Sequence, residues 1–473
     1  MAVLPSTFVD TLAAIVGAEH VRLDADSLLR YGTDALLKGH AADLVVLPGS
    51  TDEIAAIARH CHEMRVPLVP RGGGTGYTGG AVPLSGGVVV SLERLDRILE
   101  IDQENLLAVV EPHVVTAALQ EAVERVGLFY PPDPASLKQS VIGGNVAECA
   151  GGPRAFKYGT TKRYVLGLEA VLPTGEVIHT GSKVVKNVVG YDLTQLLVGS
   201  EGTLAIITKI ILRLIPRPPV QITLRAIFDS VDGAVGAVSE LLRRRVVPAT
   251  IELIDGECLE SVARYVGERL APEGTGALLL VEVDGLGTGV ADEAEAVAAA
   301  CLAVGGRDIV RASDHTSREA LWRVRREISP SLKTIAPLKL NHDVVVPRGR
   351  IPQLFALVDR IRRESGLVIP CFGHAGDGNI HVNVMVDPGD ADALRRAHDA
   401  ERALFAGVIA LEGSISGEHG IGFSKAPFIE MELSAEEIAL MKRIKSAFDP
   451  HGVLNPGKIF PAGEAHREGP SIT

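Results

Sequence analysis

Pro70-Arg71-Gly72-Gly73-Gly74-Thr75-Gly76-Tyr77-Thr78-Gly79-Gly80 is the stretch on which the fold turns. Its Gly74-Thr75-Gly76-Tyr77-Thr78-Gly79 matches the GxGxxG spacing of a Rossmann dinucleotide site, but that fingerprint needs a helix opening at the third glycine. Here Pro83, Gly86 and Gly87 interrupt, and the apolar run Val88 to Leu92 reads as a strand. Nor does Gly-Lys-Ser/Thr follow, so a Walker-type phosphate loop fails as well. What remains is a strand, a loop and a strand. Backbone N–H groups unhindered by side chains can curl there into a nest around a pyrophosphate. A flexible glycine linker is the plainer alternative, and Arg71 with the flanking apolar strands weighs against it.

Upstream of this loop, residues 44–47, 50–63 and 66–69 read as strand, helix and strand, with Ser50-Thr51-Asp52-Glu53 as a capping box. Downstream, strands at 88–92 and 106–110 flank a polar turn, and a helix over 116–126 stops at Gly127. A hairpin between Leu166 and Thr180 turns at Pro173-Thr174-Gly175-Glu176, an apolar strand covers 204–214, and Pro216-Arg217-Pro218-Pro219 has the composition of a linker. Three more small-residue or rigid turns fit an extended dinucleotide lying along this domain. They are Pro131 to Ser136 with Pro132, the loop Ile142 to Gly152 with Gly143, Gly144 and Asn145, and Gly199 to Leu204 with Glu201 and Gly202. Past the linker, strands at 222–228 and 277–283 alternate with helices at 231–245 and 292–304, a mixed pattern that makes a second domain. Helices over 391–411 and 435–448 lead to a tail containing Asn455-Pro456-Gly457-Lys458.

A chain of 473 residues with 46% hydrophobic content exceeds one core, so two or three domains are expected. The net charge of −12, without a lysine–arginine run, argues against nucleic acid or anionic membrane as the main partner. Five scattered cysteines with no CxxC pair argue against disulfide frameworks, structural zinc and iron–sulfur clusters. The first ten residues lack the basic and apolar regions of a signal peptide, and no window approaches a bilayer span. The expected compartment is the cytoplasm.

Gly373-His374-Ala375-Gly376-Asp377-Gly378-Asn379-Ile380-His381-Val382-Asn383 and Ser416-Gly417-Glu418-His419-Gly420 carry the chemistry. Strand alternation after Gly378 sends His381 and Asn383 to one face and Val382 and Val384 to the other. His374, at the glycine-rich turn before that strand, can aim at the same point, and Glu418 supplies a third ligand. Two histidines and one carboxylate leave coordination positions open, as a catalytic metal centre requires. His419 is then left for proton transfer. His113 and His342 have no such company and read as ordinary core or surface residues.

With these residues in view, the chain resembles the FAD-linked D-2-hydroxyacid dehydrogenases of the vanillyl-alcohol-oxidase/PCMH fold, and among them the flavin-bearing glycolate oxidase subunits and the D-lactate dehydrogenases. The likeness runs nearly end to end, through the glycine loop, Pro132-Asp133-Pro134-Ala135-Ser136, Gly143-Gly144-Asn145, Gly199 to Thr203, both histidine motifs and Asn455 to Lys458. It implies an α+β chain: a PCMH-type FAD-binding domain over residues 1–217, an α/β cap domain over 218–412, and a C-terminal segment, 413–473, returning to the flavin. It further implies FAD held by Arg71, Gly72, Gly73, Gly74, Thr75, Gly76, Pro132, Ser136, Gly143, Gly144, Asn145, Glu201, Gly202, Ile206 and Asn455. A divalent metal, Zn or Mn, falls on His374, His381 and Glu418, with His419 as base. The arginine three residues after the tryptophan of a Leu-Trp element, here Arg325 after Leu321-Trp322, is implied to bind substrate carboxylate. Relatives vary between Ser329 and Asp343, where this chain has Lys339, Asn341 and His342, so selectivity for the substrate side chain stays open.

Oxidation of a 2-hydroxy acid removes a hydroxyl proton and transfers hydride to an acceptor that side chains cannot provide, which the flavin N5 supplies. A chelated metal stabilises the developing alkoxide and fixes its direction, His419 takes the proton, Arg325 pairs with the carboxylate, and Asn383 is placed to steady substrate or metal-bound oxygen. The expected substrate is a small acid of glycolate or D-lactate type. Electrons then leave to a partner subunit or an electron-transfer protein. Two rivals stand beside this reading: a non-catalytic FAD-carrying electron-relay subunit, which needs neither metal ligands nor base, and a metal hydrolase, which leaves the N-terminal glycine loops idle.

Overall fold

The computed structural model describes residues 4–461. Its N-terminal part holds two sheets. In the first, strands lie in the order Val21–Arg22, Leu44–Val46, Val88–Ser91, Leu68–Arg71, and the last three run parallel. The glycine loop therefore joins two neighbouring parallel strands without a helix between them, as the reading against a Rossmann site requires. Parallel strands buried on both faces are continuously apolar, and Leu44 to Val46 and Val88 to Val90 are fully buried. Ser50 caps the helix Thr51–Met64 by accepting from the Glu53 N–H at 3.2 Å. The reciprocal half of the expected capping box is displaced by one residue, since Glu53 accepts instead from Gly49 N–H at 2.7 Å.

The second sheet is antiparallel, in the order Ile98–Asp102, Leu107–Val110, Ile206–Arg213, Val165–Val171, Val177–Gly181. Its first strand occupies what the sequence pattern presents as a polar turn: Ile98 to Asp102 alternates only weakly, with Glu100 and Asp102 masking the strand period. The hairpin of Val165–Val171 and Val177–Gly181 turns where expected. Two expectations change. Ile142 to Gly152 is not a loop, because Ile142–Glu148 forms two turns of helix despite two glycines, with Gly143 pressed so close to Pro112 that a Cβ would meet its Cβ at 2.6 Å. The proline-rich linker shrinks to three residues, 217–219, since Ile215–Pro216 pairs with Leu128–Phe129 and Val220 already opens the next strand.

Beyond residue 220 a single seven-stranded sheet, antiparallel throughout, runs in the order Arg307–Ala312, Val220–Phe228, Ala277–Gly285, Thr250–Asp255, Cys371–His374, Asn379–Val386, Leu338–Val345. The helices Val231–Arg243, Gly289–Ala303, Ile351–Ser365 and Ala391–Ala410 bury their apolar stripes on one face of it, while Gly256–Val266 and His315–Leu332 cover the other. After Ala410 the chain crosses back to the N-terminal part. Glu201 accepts from the N–H groups of Ile421 (2.8 Å) and Gly422 (2.6 Å), and Leu454 bridges to Leu68 at the edge of the first sheet.

Candidate active site

Three neighbouring strands of the large sheet, the fourth to sixth in its order, assemble the site. His374 is the last residue of Cys371–His374, a strand position rather than a turn, and the tight hairpin through Gly378 returns the chain into Asn379–Val386, which carries His381. Glu418 comes from the C-terminal return. His374 Nε2 and His381 Nε2 lie 3.5 and 3.6 Å from Glu418 Oε1, and one donor atom from each residue falls within 4.8 Å of the others. Ligands held at ~2.1 Å around a tetrahedral ion stand about 3.4 Å apart. The cluster thus has the spacing of a cation site, and it is the one group of this kind among the described residues.

Buried acids fix the rings. Glu252, fully buried on Thr250–Asp255, pairs in register with His374, and its carboxylate bonds both His374 Nδ1 and, at 2.5 Å, Arg325 Nε. That pins His374 with Nε2 toward Glu418, the outer partner a metal-bound imidazole ordinarily has. Burial opposes charge on Glu252, yet the positive His374 and Arg325 draw its carboxyl down to about 2. Burial, then the charges of His374 and His419, hold His381 well below the ordinary histidine value, so it stays neutral and its lone pair stays free. Asp343 does for the Glu418 loop what Glu252 does for His374. Its Oδ2 accepts from the N–H groups of Gly417 (3.0 Å), Glu418 (2.7 Å) and His419 (2.9 Å), while Oδ1 meets Lys425 Nζ and stands 3.2 Å from His419 Nδ1, off the hydrogen-bonding direction. Burial raises the Asp343 pKa, but His419 and Lys425 outweigh it and hold the carboxyl well below its usual range.

All of this opens onto one cavity of about 970 Å³, at the upper end for cofactor sites. The glycine loop forms its far wall. A Cβ on Gly72 would strike Val141 Cγ2 at 2.8 Å and one on Gly73 the Gln139 carbonyl at 2.8 Å, while Gly74 sits at φ +65° under the Arg71 guanidinium. At Gly76 the nearest atom is Asp34 Oδ2 at 4.0 Å, so that backbone faces open cavity. Close backbone approach without side chains is what a dinucleotide requires. From this loop Tyr77 reaches back to the site, its ring 5.3 Å from that of His419 and 5.5 Å from Lys339 Nζ.

Of the residues singled out in the sequence, Arg71 to Gly76, Ser136, Gly143, Gly144, Asn145, Glu201, Gly202, Ile206, Arg325, His374, His381, Glu418 and His419 share this wall. Three do not. Asn383 is wholly buried, its Nδ2 donating to the carbonyls of Pro370 and His381 and its Oδ1 accepting from Asn341 at 3.0 Å, so it props the strand and Asn341 takes its place on the wall. Pro132 lies behind the surface, its carbonyl held by Gln120. Asn455 clasps the carbonyls of Gly80 (2.9 Å) and Glu201 (2.8 Å) instead of facing the cavity. Glu201, though on the wall, has its carboxylate committed to the amides of Ile421 and Gly422. His342 is a core residue as expected, edge-on to Phe405 and 3.6 Å from Glu401. Sequence reasoning missed Glu252, Asp343 and Tyr77.

Residues 217–459 match the family described as FAD linked oxidases, C-terminal domain, and residues 42–181 match the FAD binding domain family. The chain is 43% identical over 452 residues to glycolate oxidase subunit GlcD of Bacillus subtilis (strain 168), covering 95% of this chain and 96% of that protein. It is 37% identical over 456 residues to D-lactate dehydrogenase of Archaeoglobus fulgidus, covering 96% and 99%. In fold it is similar to p-cresol methylhydroxylase with substrate bound, at a TM-score of 0.81 and 20% identity over 96% of this chain and 97% of that one. No helix among the described residues is long and apolar enough to cross a membrane. The chain therefore belongs to the FAD-linked oxidases, with a PCMH-type FAD-binding domain and an FAD-oxidase C-terminal domain, and is an FAD-dependent oxidoreductase acting on CH–OH groups.

Proposed function

We propose that the protein oxidises a small D-2-hydroxy acid of the glycolate or D-lactate type to the 2-oxo acid, with residues 1–217 holding the cofactor, 218–412 covering it and 413–473 closing the site. The observation carrying this reading is that His374, His381, Glu418, His419 and Arg325 share one cavity wall with the glycine loop. Its relatives' names, a glycolate oxidase subunit and a D-lactate dehydrogenase, point the same way. Bound in the cavity, FAD supplies the hydride acceptor. A divalent ion, Zn or Mn, on His374, His381 and Glu418 would supply Lewis-acid polarisation of the substrate hydroxyl.

The chain's own groups do the rest. His419, positioned by Asp343, with its ring stacked 5.4 Å from that of His381 and tilted against that of Tyr77 at 5.3 Å, takes the hydroxyl proton. Arg325, engaged by Glu252 through Nε and lying 4.5 Å over the Phe372 ring, presents the rest of its fork to the carboxylate. Lys339 stands beside it, its Nζ donating to Ser329 Oγ at 2.9 Å with no carboxylate partner of its own among the described residues. Electrons pass on to a partner, as the relative's designation as a subunit suggests.

Anaerobic mixing of the FAD-loaded protein with D-lactate or glycolate tests the reading: the flavin absorbance should bleach, and His419→Asn should slow the bleaching by ~10²- to 10⁴-fold. A flavin that no D-2-hydroxy acid bleaches would mark an electron-relay subunit instead. Lys339 adds a pH signature. Burial lowers its ammonium pKa to about 8, and only the charged form attracts a carboxylate, so KM should rise as pH passes upward through about 8. Lys339→Met should erase that rise while leaving a high KM at every pH.

A further inference from the structure

The cavity extends past the histidine cluster along the same strand. Thr250 stands two residues before Glu252, hence on the same face and about 7 Å further on. Its side chain is buried on the cavity wall, and its Oγ1 has no hydrogen-bond partner among the described residues. Directly across the ladder is Glu282, also buried on the wall, which accepts from Thr223 Oγ1 at 2.8 Å and lies 3.4 Å from Trp322 Nε1. Arg318 Nη1 stands 3.8 Å from the same carboxylate, and Arg318 Nε is a second buried donor without a partner.

Two unpartnered polar atoms thus border a carboxylate on the cavity wall beyond the histidine cluster. Such atoms are costly to leave unmade, and a ligand that meets them is favoured over one that does not. The charges of Glu282 and Arg318 offset one another, so that pair has no surplus positive charge for a second carboxylate. An alkyl tail would leave Thr250 Oγ1 and Arg318 Nε as they are. A hydroxyl satisfies both kinds of group, donating to Glu282 or Thr250 and accepting from Arg318.

Resting on the oxidation proposed above, we infer that the preferred substrate is a D-2-hydroxy acid with a neutral, hydroxyl-bearing tail of roughly two to four carbons, which together with its terminal hydroxyl and one hydrogen bond of about 2.8 Å reaches about 7 Å. The class is that of the short sugar acids. Steady-state oxidation by the FAD-loaded protein of D-erythronate, against D-2-hydroxybutyrate of the same chain length and D-2-hydroxyglutarate, tests it. D-Erythronate should lead D-2-hydroxybutyrate in kcat/KM by about 10²-fold, mostly through KM. Thr250→Val should cut that ratio by about tenfold, whereas Thr250→Ser, which keeps the hydroxyl, should retain it. A preference for the alkyl or the dicarboxylic acid, or a ratio unmoved by Thr250→Val, overturns the inference and leaves the oxidation standing. Bleaching by none of the three, nor by D-lactate or glycolate, overturns the underlying reading instead.

Discussion

Glu418→Gln should leave the protein yellow but nearly metal-free, and slow flavin reduction by a D-2-hydroxy acid about 10³-fold, the rate equivalent of about 4 kcal/mol of lost charge stabilisation. Glu418 Oε1 lies 3.5 and 3.6 Å from the two histidine Nε2 atoms, and it is the one anionic member of the cluster. Burial raises its pKa, but the hydrogen bond and charge of His374 dominate and keep the carboxyl below its ordinary value, ready to ligate. The amide preserves size and loop contacts while removing that charge. Elemental analysis beside the stopped-flow trace separates metal loss from misfolding, and Glu252→Gln, which acts only through His374 and Arg325, should weaken metal affinity by a smaller ~10- to 100-fold. Wild-type protein that is stripped of metal yet bleaches at full rate would remove the metal from the account.

The second large effect concerns stability. Asp343 is wholly buried, and its carboxylate holds three consecutive backbone N–H groups together with the Lys425 ammonium. Asp343→Ala strands the Glu418 and His419 N–H groups and leaves the Lys425 charge without its counter-ion, although Gly417 N–H keeps the residue-343 carbonyl and Lys425 keeps Ile415 and Ser416. Breaking a buried pair of this kind costs about 3–5 kcal/mol. Guanidinium unfolding should show the drop as a lower midpoint, and a loss below about 1 kcal/mol would mean that the loop is held elsewhere. The pH sign follows from the shift: with the folded pKa well under the ordinary 3.8, this contribution is complete above that value and fades as acid carries the solution down through the folded one. Asp343→Ala should therefore decline less steeply in acid than the wild type, since Glu252 and Glu418, whose carboxyls are also held low, still lose their contributions there.

Much of this was legible in the residues. The interrupted glycine loop excluded a Rossmann helix because proline and glycine punctuation is local, and the structure has parallel strands on either side of it. The period-two alternation aims His381 at the point a turn residue His374 can also reach; in the structure His374 lies on the neighbouring antiparallel strand, paired with Asn379 and so diagonal to His381 on the same face. The same alternation misled at Asn383, which does share the His381 face but lies two residues further along, where Pro370 and Asn341 use up its amide. Glu252 and Asp343 went unnoticed although each is an acid set against β-branched or aliphatic neighbours, Ile251-Glu252-Leu253 and Asp343-Val344-Val345, a pattern that demands a buried partner. Who that partner is depends on pairing across 122 residues for Glu252 with His374 and 76 for Asp343 with His419, which no local pattern encodes. Helix Ile142–Glu148 reads as loop in the sequence because it carries two glycines, of which Gly143 answers to crowding against Pro112, a tertiary cause.

The short run from Gly417 to Gly422 is fastened on both sides. Asp343 grips it from the large sheet, while Thr78 bonds the His419 carbonyl and Glu201 the next two amides from the cofactor side. A hinge that swung the two halves of the molecule apart would tear His419 from its mooring. Substrate and product must then travel through a standing doorway, and turnover should be indifferent to solvent viscosity in a way that a clamshell enzyme's is not.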